Sequence, residues 1–125
     1  MISIIDDDEA VREATKGLVR SLGYSAATFS SAEEYLRSDR VKETACLITD
    51  VQMPGMNGVE LQERLIADGR GTKVIFMTGF SEEKTRARAL KAGAVGFLKK
   101  PFDDACLIQC LHRALEGDSS PSPEQ

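Results

Sequence analysis

Ala45-Cys46-Leu47-Ile48-Thr49 is a nearly unbroken apolar run, and it ends on a carboxylate, Asp50. A strand with one face in water alternates apolar and polar residues, whereas a strand covered on both faces has no need to. Residues 2–5 and 74–77 have the same near-continuous character. Two further short runs, residues 25–29 and 95–98, complete a set of five.

The longer segments between these runs have helical period. Val11, Ala14, Leu18, Val19 and Leu22 fall on one helical face, and Gly23 stops that helix. Ser31 followed by Glu34 reads as a capping box for a second helix. Asn57 with Glu60 does the same for a third, which should end near Gly69. Ser81 and Asp103 are the expected caps of a fourth and fifth helix. Strict strand–helix alternation implies a parallel sheet with helices on both sides. The expected fold is therefore α/β: a flavodoxin-like five-stranded parallel sheet in the order 2-1-3-4-5, with five helices. The domain should span residues 1–116, leaving residues 117–125 as a disordered polar tail.

Bulk properties narrow the function. At 125 residues, 42% hydrophobic and 29% charged, the chain can bury one core as a folded soluble domain. A net charge of −4 argues against a general nucleic-acid or membrane-surface binder. There is no apolar stretch of membrane-spanning length and no basic-then-apolar N-terminus, so the cytoplasm is the expected location. Cys46, Cys106 and Cys110 make an odd count without zinc-type spacing, and should serve as small apolar residues. His112, the only histidine, should be a solvated residue of the fifth helix.

Two helices have unusual apolar content. In the fourth, only Ala87, Ala89, Leu90 and Ala92 are available for burial, so that helix should be loosely held. In the fifth, Cys106, Leu107, Ile108, Cys110, Leu111, Ala114 and Leu115 cover about half the circumference, more than one core stripe needs.

Ligands of open parallel sheets bind beyond the carboxyl ends of the strands, where the strand order switches. Strand one ends in Asp6-Asp7-Asp8, strand three in Asp50, strand four in Thr78 and strand five in Lys99-Lys100-Pro101. Strand two, expected at an edge, ends in Thr28-Phe29-Ser30 and offers nothing comparable. Converging carboxylates repel one another and shift toward protonation unless a cation joins them. A hard divalent ion such as Mg2+ suits oxygen ligands and still has room for a phosphate oxygen. An aspartate is also a competent nucleophile toward phosphorus. The assembly suits phosphoryl transfer, in which positioning and charge neutralisation do most of the work. Strand-end aspartates also cap helices, and that plainer role fits Asp8 better than Asp50.

Ile4-Ile5-Asp6-Asp7-Asp8, Asp50-Val51-Gln52-Met53-Pro54-Gly55-Met56-Asn57-Gly58, Met77-Thr78-Gly79 and Lys100-Pro101-Phe102 resemble the four motifs of bacterial two-component response-regulator receiver domains. The resemblance runs from Met1 to about Leu115. It implies that Asp50 is the phosphoacceptor, that Asp6 and Asp7 are the acidic pair, and that Thr78 is the phosphoryl-binding hydroxyl. It makes Lys100 the conserved cation, selecting it over Lys99, and Phe97 the aromatic switch residue. Mg2+ would be held among Asp6, Asp7, Asp50 and the backbone carbonyl of Gln52. A cis peptide is implied at Lys100-Pro101. Gln52 and Phe80 fall where the family tunes the lifetime of the acyl phosphate.

The implied function is a phosphorelay switch, not an enzyme beyond its own phosphorylation and dephosphorylation. It would accept phosphate from a histidine kinase or a histidine phosphotransfer protein. It would signal through helix 4, strand 5 and helix 5 to a downstream protein or a second copy, without touching nucleic acid or membrane. Ending in a short polar tail, the chain reads as a stand-alone receiver, with a receiver fragment of a longer DNA-binding regulator as the alternative. A haloacid-dehalogenase-type phosphatase would need a second aspartate where Gln52 stands. A flavin-binding module would need a hydroxyl-rich loop where Asp6, Asp7 and Asp8 stand.

Overall fold

A computed structural model of the chain describes residues 1–79 and 83–115. The elements alternate as β1 (Ile2–Ile5), α1 (Glu9–Ser21), β2 (Ala26–Phe29), α2 (Ala32–Arg37), a 3-10 turn (Val41–Glu43), β3 (Cys46–Asp50), α3 (Gly58–Ala67), β4 (Lys73–Thr78), α4 (Glu83–Lys91), β5 (Gly96–Lys99) and α5 (Asp104–Leu115). The strands form one parallel sheet in the order β2-β1-β3-β4-β5, as expected from the alternation. No strand end differs from the sequence-based expectation by more than one residue.

The near-continuous runs are covered on both faces. Every residue of β1 and β3 is buried. Successive side chains of a strand point to opposite faces, so they feed two separate cores. Ile5, Leu47, Val74 and Phe76 pack with Tyr35 of α2, Val59, Leu61 and Leu65 of α3, and Ala89 of α4. Ile4, Cys46, Ile48, Ile75 and Met77 pack with Val19 of α1 and with Leu107, Cys110, Leu111 and Ala114 of α5. Each fully buried aliphatic side chain contributes about 1.5–3 kcal/mol. Burial pushes the Cys46 thiol up to about 12, which keeps it protonated and inert.

Local signals set the helix ends. Asp8 caps α1, its carboxylate accepting from the Ala10 and Val11 amides, and Gly23 at φ +95° ends the helix. Asn57 and Glu60 form the complete capping box at α3, and the chain leaves that helix through Gly69 at φ +74°. The box expected at α2 is only half formed. Ser31 accepts from the Glu34 amide, but the Glu34 carboxylate passes over Ser31 and accepts from the Ser30 amide and hydroxyl at 2.7 and 2.9 Å. The Asp103 carbonyl accepts from Cys106 and Leu107 where the chain enters α5. The expected cap Ser81, the lifetime-tuning position Phe80 named by the resemblance and the expected tail lie outside the described residues.

The two unusual helices fit the sheet as their compositions suggest. In α4 only Ala89 is buried. Polar ties to α3 hold this helix: the Gln62 amide donates to the Ala89 carbonyl at 3.1 Å, and Arg88 pairs with Glu63 at 2.6 Å. The arc on α5 is divided. Leu107, Cys110, Leu111 and Ala114 are buried, Ile108 and Leu115 are half-buried, and Cys106 is exposed. His112 is exposed, as expected, and all three cysteines are free. Among the described residues, no helix is long and apolar enough to cross a membrane.

Candidate functional site

The parallel register places the chemistry at one edge of the sheet. Ile5 of β1 lies beside Thr49 of β3, so Asp6 and Asp50 each follow by one residue at the same end. Asp50 in turn lies beside Met77, which puts Thr78 one step further along the neighbouring strand, where it is buried. Beyond β5 the chain turns through a cis Lys100-Pro101 peptide, and the Lys100 amide donates to the Thr78 carbonyl at 2.7 Å.

Five sequence-predicted site residues therefore share one strand-end neighbourhood. The carboxylates of Asp6, Asp7 and Asp50 approach so closely that one oxygen from each lies within 4.8 Å of the others. Asp6 and Asp50 are buried, and Asp7 is exposed. Lys100 reaches in from the opposite side, its Nζ 2.7 Å from Asp6 Oδ2 and 3.2 Å from Asp50 Oδ2. Lys99, its neighbour, is exposed. The second oxygens are also engaged: Asp6 Oδ1 accepts from the Asp8 amide at 2.9 Å, and Asp50 Oδ1 from the Gln52 amide at 3.3 Å. Phe97 is half-buried on β5, its ring centroid 5.8 Å from that of Phe76 on β4.

Electrostatics follow from this crowding. Burial pushes the Asp50 carboxyl above the usual carboxylate range. The Lys100 ammonium pulls it back in part, and the Asp6 charge adds to the rise. Burial also works against the Lys100 charge, but the hydrogen bond that Lys100 donates to Asp6 and the charges of Asp50 and Asp6 outweigh it, so that pKa is raised. Lys100 thus stays ionised. It is still one positive charge facing three carboxylates. The donor set is all oxygen, and the Asp7 side opens to solvent. These features fit a hard divalent cation that keeps some of its waters, Mg2+ above all. Asp6, Asp7 and Asp50 would hold it, together with the Gln52 carbonyl. Such an ion would supply positive charge beside the Asp50 carboxylate, where it could neutralise the oxygens of a phosphoryl group.

Two contacts at the site had no sequence signal. Arg12 of α1 donates to the Asp6 carbonyl at 2.7 Å and steadies the turn that carries the acidic pair. Gly58, the first residue of α3, sits so close beneath Asp50 that a Cβ there would run into the Asp50 carbonyl oxygen. Nothing in the pattern around Arg12 distinguishes it from an ordinary surface arginine, and although Gly58 closes the second motif, the motif does not say what that glycine touches.

The sequence model of the response regulator receiver domain matches residues 2–112. The chain is 40% identical over 114 residues to the transcriptional regulatory protein FixJ of Azorhizobium caulinodans, covering 91% of this chain and 54% of that protein. It is 41% identical over 116 residues to the response regulator protein TodT of Pseudomonas putida, covering 93% of this chain and 51% of that one. The crystal structure of FixJ-N superposes with a TM-score of 0.82 at 33% identity and covers 96% of each chain. The chain spans about half the length of these curated relatives.

Proposed function

The chain belongs to the response regulator receiver domain family, and from that membership we propose that it is a switch phosphorylated on Asp50 with Mg2+, working in the cytoplasm. Receiver domains are signalling switches of two-component systems, phosphorylated by histidine kinases, and bind Mg2+ at an acidic pocket. The observation that carries the residue-level reading is Lys100 Nζ standing within hydrogen-bond reach of both Asp6 and Asp50 at the sheet edge. In the proposed step an Asp50 carboxylate oxygen forms a bond to the donor's phosphorus. The bond from phosphorus to the phosphohistidine nitrogen breaks, and its electron pair leaves with the imidazole. Lys100 and the Thr78 hydroxyl contact the phosphoryl oxygens as they arrive. Gln52 offers no side-chain carboxylate for turnover of outside substrates, which supports a switch over a phosphatase.

Asp7 is the exposed member of the acidic cluster, so replacing it tests the cation reading with little risk to the core. Asp7→Ala should lower the rate of phosphoryl uptake from a small acyl-phosphate donor by about 100-fold or more while leaving the amide spectrum folded. Intact mass against time, with and without Mg2+, measures this. Wild-type uptake by Asp7→Ala would remove the proposed metal site.

The output is read as a contact made by α4, β5 and α5. A phosphoryl group on Asp50 draws Thr78 inward, and the Phe97 ring fills the vacated space beside Phe76. The helix next in line, α4, buries a single alanine and is tied to α3 by one buried hydrogen bond and one exposed ion pair, so its position is soft. The half-buried Ile108 and Leu115 lie on α5. Hydrogen exchange should therefore change on phosphorylation between Glu83 and Leu115. Changes confined to α1, α2 and α3 would exclude this surface. A second reading comes from the length of the relatives and from FixJ being named a transcriptional regulatory protein. In it the same surface serves a longer regulator that acts on DNA.

A further inference from the structure

The acceptor strand is followed by a loop that a neighbouring helix holds in place. Residues 51–57 leave β3 and return to α3. The base of this loop is closed by the Gly58 amide donating to the Val51 carbonyl at 2.8 Å, and its end by the Asn57–Glu60 capping box. Within the loop, Met53 is buried but Gln52 is exposed, so packing of its side chain does not orient its backbone carbonyl. The turn Met53-Pro54-Gly55-Met56 passes through Gly55 at φ +79°, a conformation that favours glycine.

Glu33, on the first turn of α2, reaches this turn from 23 residues away in sequence. Its Oε2 accepts from the Met56 amide at 2.8 Å. A Cβ on Gly55 would lie 2.6 Å from the same oxygen, so the carboxylate is seated directly on the turn. The start of the loop is tied to β3 by the Gln52 amide donating to Asp50 Oδ1 at 3.3 Å, and the Glu33–Met56 bond ties its far end to α2. The Met56 amide also holds the Glu33 carboxyl below its ordinary range, so the bond is charge-assisted. The helix that presents Glu33 is itself fixed: Ala32 and Tyr35 are fully buried, and Ser31 caps its start.

Between Asp50, fixed at the end of β3, and Met56, fixed by Glu33, little freedom remains. Pro54 has a locked φ and Met53 is held by packing. The direction of the Gln52 carbonyl therefore follows from where Met56 is pinned. We propose that Glu33 is a positioning residue of the phosphoacceptor site: by fixing the turn at Met56 it sets the Gln52 carbonyl for the divalent cation. This rests on the reading of Asp50 and Gln52 given above.

The test uses two variants of the whole chain. Glu33→Ala removes the acceptor oxygen, while Glu33→Gln keeps one of the same reach. Phosphoryl uptake from a small acyl phosphate is followed by intact mass across a range of Mg2+ concentrations. A parallel Mg2+ titration reads the Gln52 and Met53 amide shifts. For Glu33→Ala the half-saturating Mg2+ should rise about tenfold, with the rate at saturating Mg2+ within about twofold of wild type. Glu33→Gln should stay within about threefold of wild type on both measures. An unchanged half-saturating Mg2+ in Glu33→Ala overturns the proposal, even if the melting temperature falls, because Glu33 would then only brace the loop. Equal damage from both variants also overturns it, because the charge and not the hydrogen bond would be acting. A wild type that takes up no phosphoryl group under Mg2+ overturns the reading of the site itself, and this inference with it.

Discussion

Asp50→Asn is expected to take up no phosphoryl group and, in the absence of divalent cations, to unfold at a higher temperature than the wild type. The first effect follows from chemistry: an amide oxygen is too weak a nucleophile toward phosphorus, and no other carboxylate of the cluster sits at the end of a central strand beside β4. The second follows from the crowding. Asp50 is 7% exposed and faces Asp6 across a single shared ammonium. Its carboxyl pKa is raised in the folded chain, so between the ordinary carboxylate pKa and the raised one the folded state holds more protons than the unfolded state. Stability then falls as pH rises through that window. Above the raised pKa the full penalty is present. The neutral asparagine removes it, and Lys100 keeps its 2.7 Å partner in Asp6. The variant is therefore expected to be the more stable protein without divalent cations, with the higher Tm. The difference should shrink as pH is lowered into the carboxylate range. Mg2+ should reverse the order by stabilising the wild type alone. Intact mass and thermal melts with EDTA or Mg2+ measure all of this. Equal labelling of both proteins would move the acceptor elsewhere, and a less stable Asp50→Asn in EDTA would mean that the Lys100–Asp50 attraction outweighs burial.

Most of the fold and most of the site were legible because the decisive features are local. Residues 2–5 and 45–49 betray two covered faces by lacking alternation, and the structure sends their side chains alternately into two cores. The strand-end position of Asp6, Asp50 and Thr78 follows once those runs are strands. Parity along β5 separates Lys99 from Lys100 but does not choose between them. The family resemblance chose Lys100, and Lys100 is the one that reaches Asp6. What stayed hidden depends on how separate elements approach. The Glu33–Met56 bond joins α2 to a loop beyond β3, and the Gln62–Ala89 and Glu63–Arg88 ties depend on the rotation of α3 against α4. Even the half-formed box at α2 belongs here. Ser31 and Glu34 have the right spacing, yet the carboxylate turns to Ser30, whose amide and hydroxyl together offer two donors at the end of β2.

Gly58 closes the second motif, but its contact with β3 was hidden in the same way, and replacing it should have the largest effect on fold and chemistry together. The residue opens α3 directly under Asp50, with its amide bound to the Val51 carbonyl at 2.8 Å. A methyl group there meets the Asp50 carbonyl oxygen and presses on Phe76 Cε1 at 3.0 Å. Neither neighbour gives way easily, since one is strand backbone and the other a ring with no exposure. Overpacking of this kind costs about 1–3 kcal/mol, so Gly58→Ala should melt several degrees below wild type. The cost to function should be larger. Relief requires β3 and α3 to part, which carries the Asp50 carboxylate away from Lys100 and the acidic pair. A displacement of about 1 Å is enough for a 100-fold loss of rate. Gly17→Ala supplies the comparison. It lies inside α1 with nothing within 4 Å of a built Cβ, so the same substitution there should stabilise by about 0.5–1 kcal/mol and leave uptake alone. Thermal melts and uptake rates on the two variants separate a general cost of losing glycine from a specific contact beneath the acceptor. If Gly58→Ala melts and takes up phosphate as the wild type does, α3 does not press on the acceptor strand, and the close approach plays no part in holding Asp50.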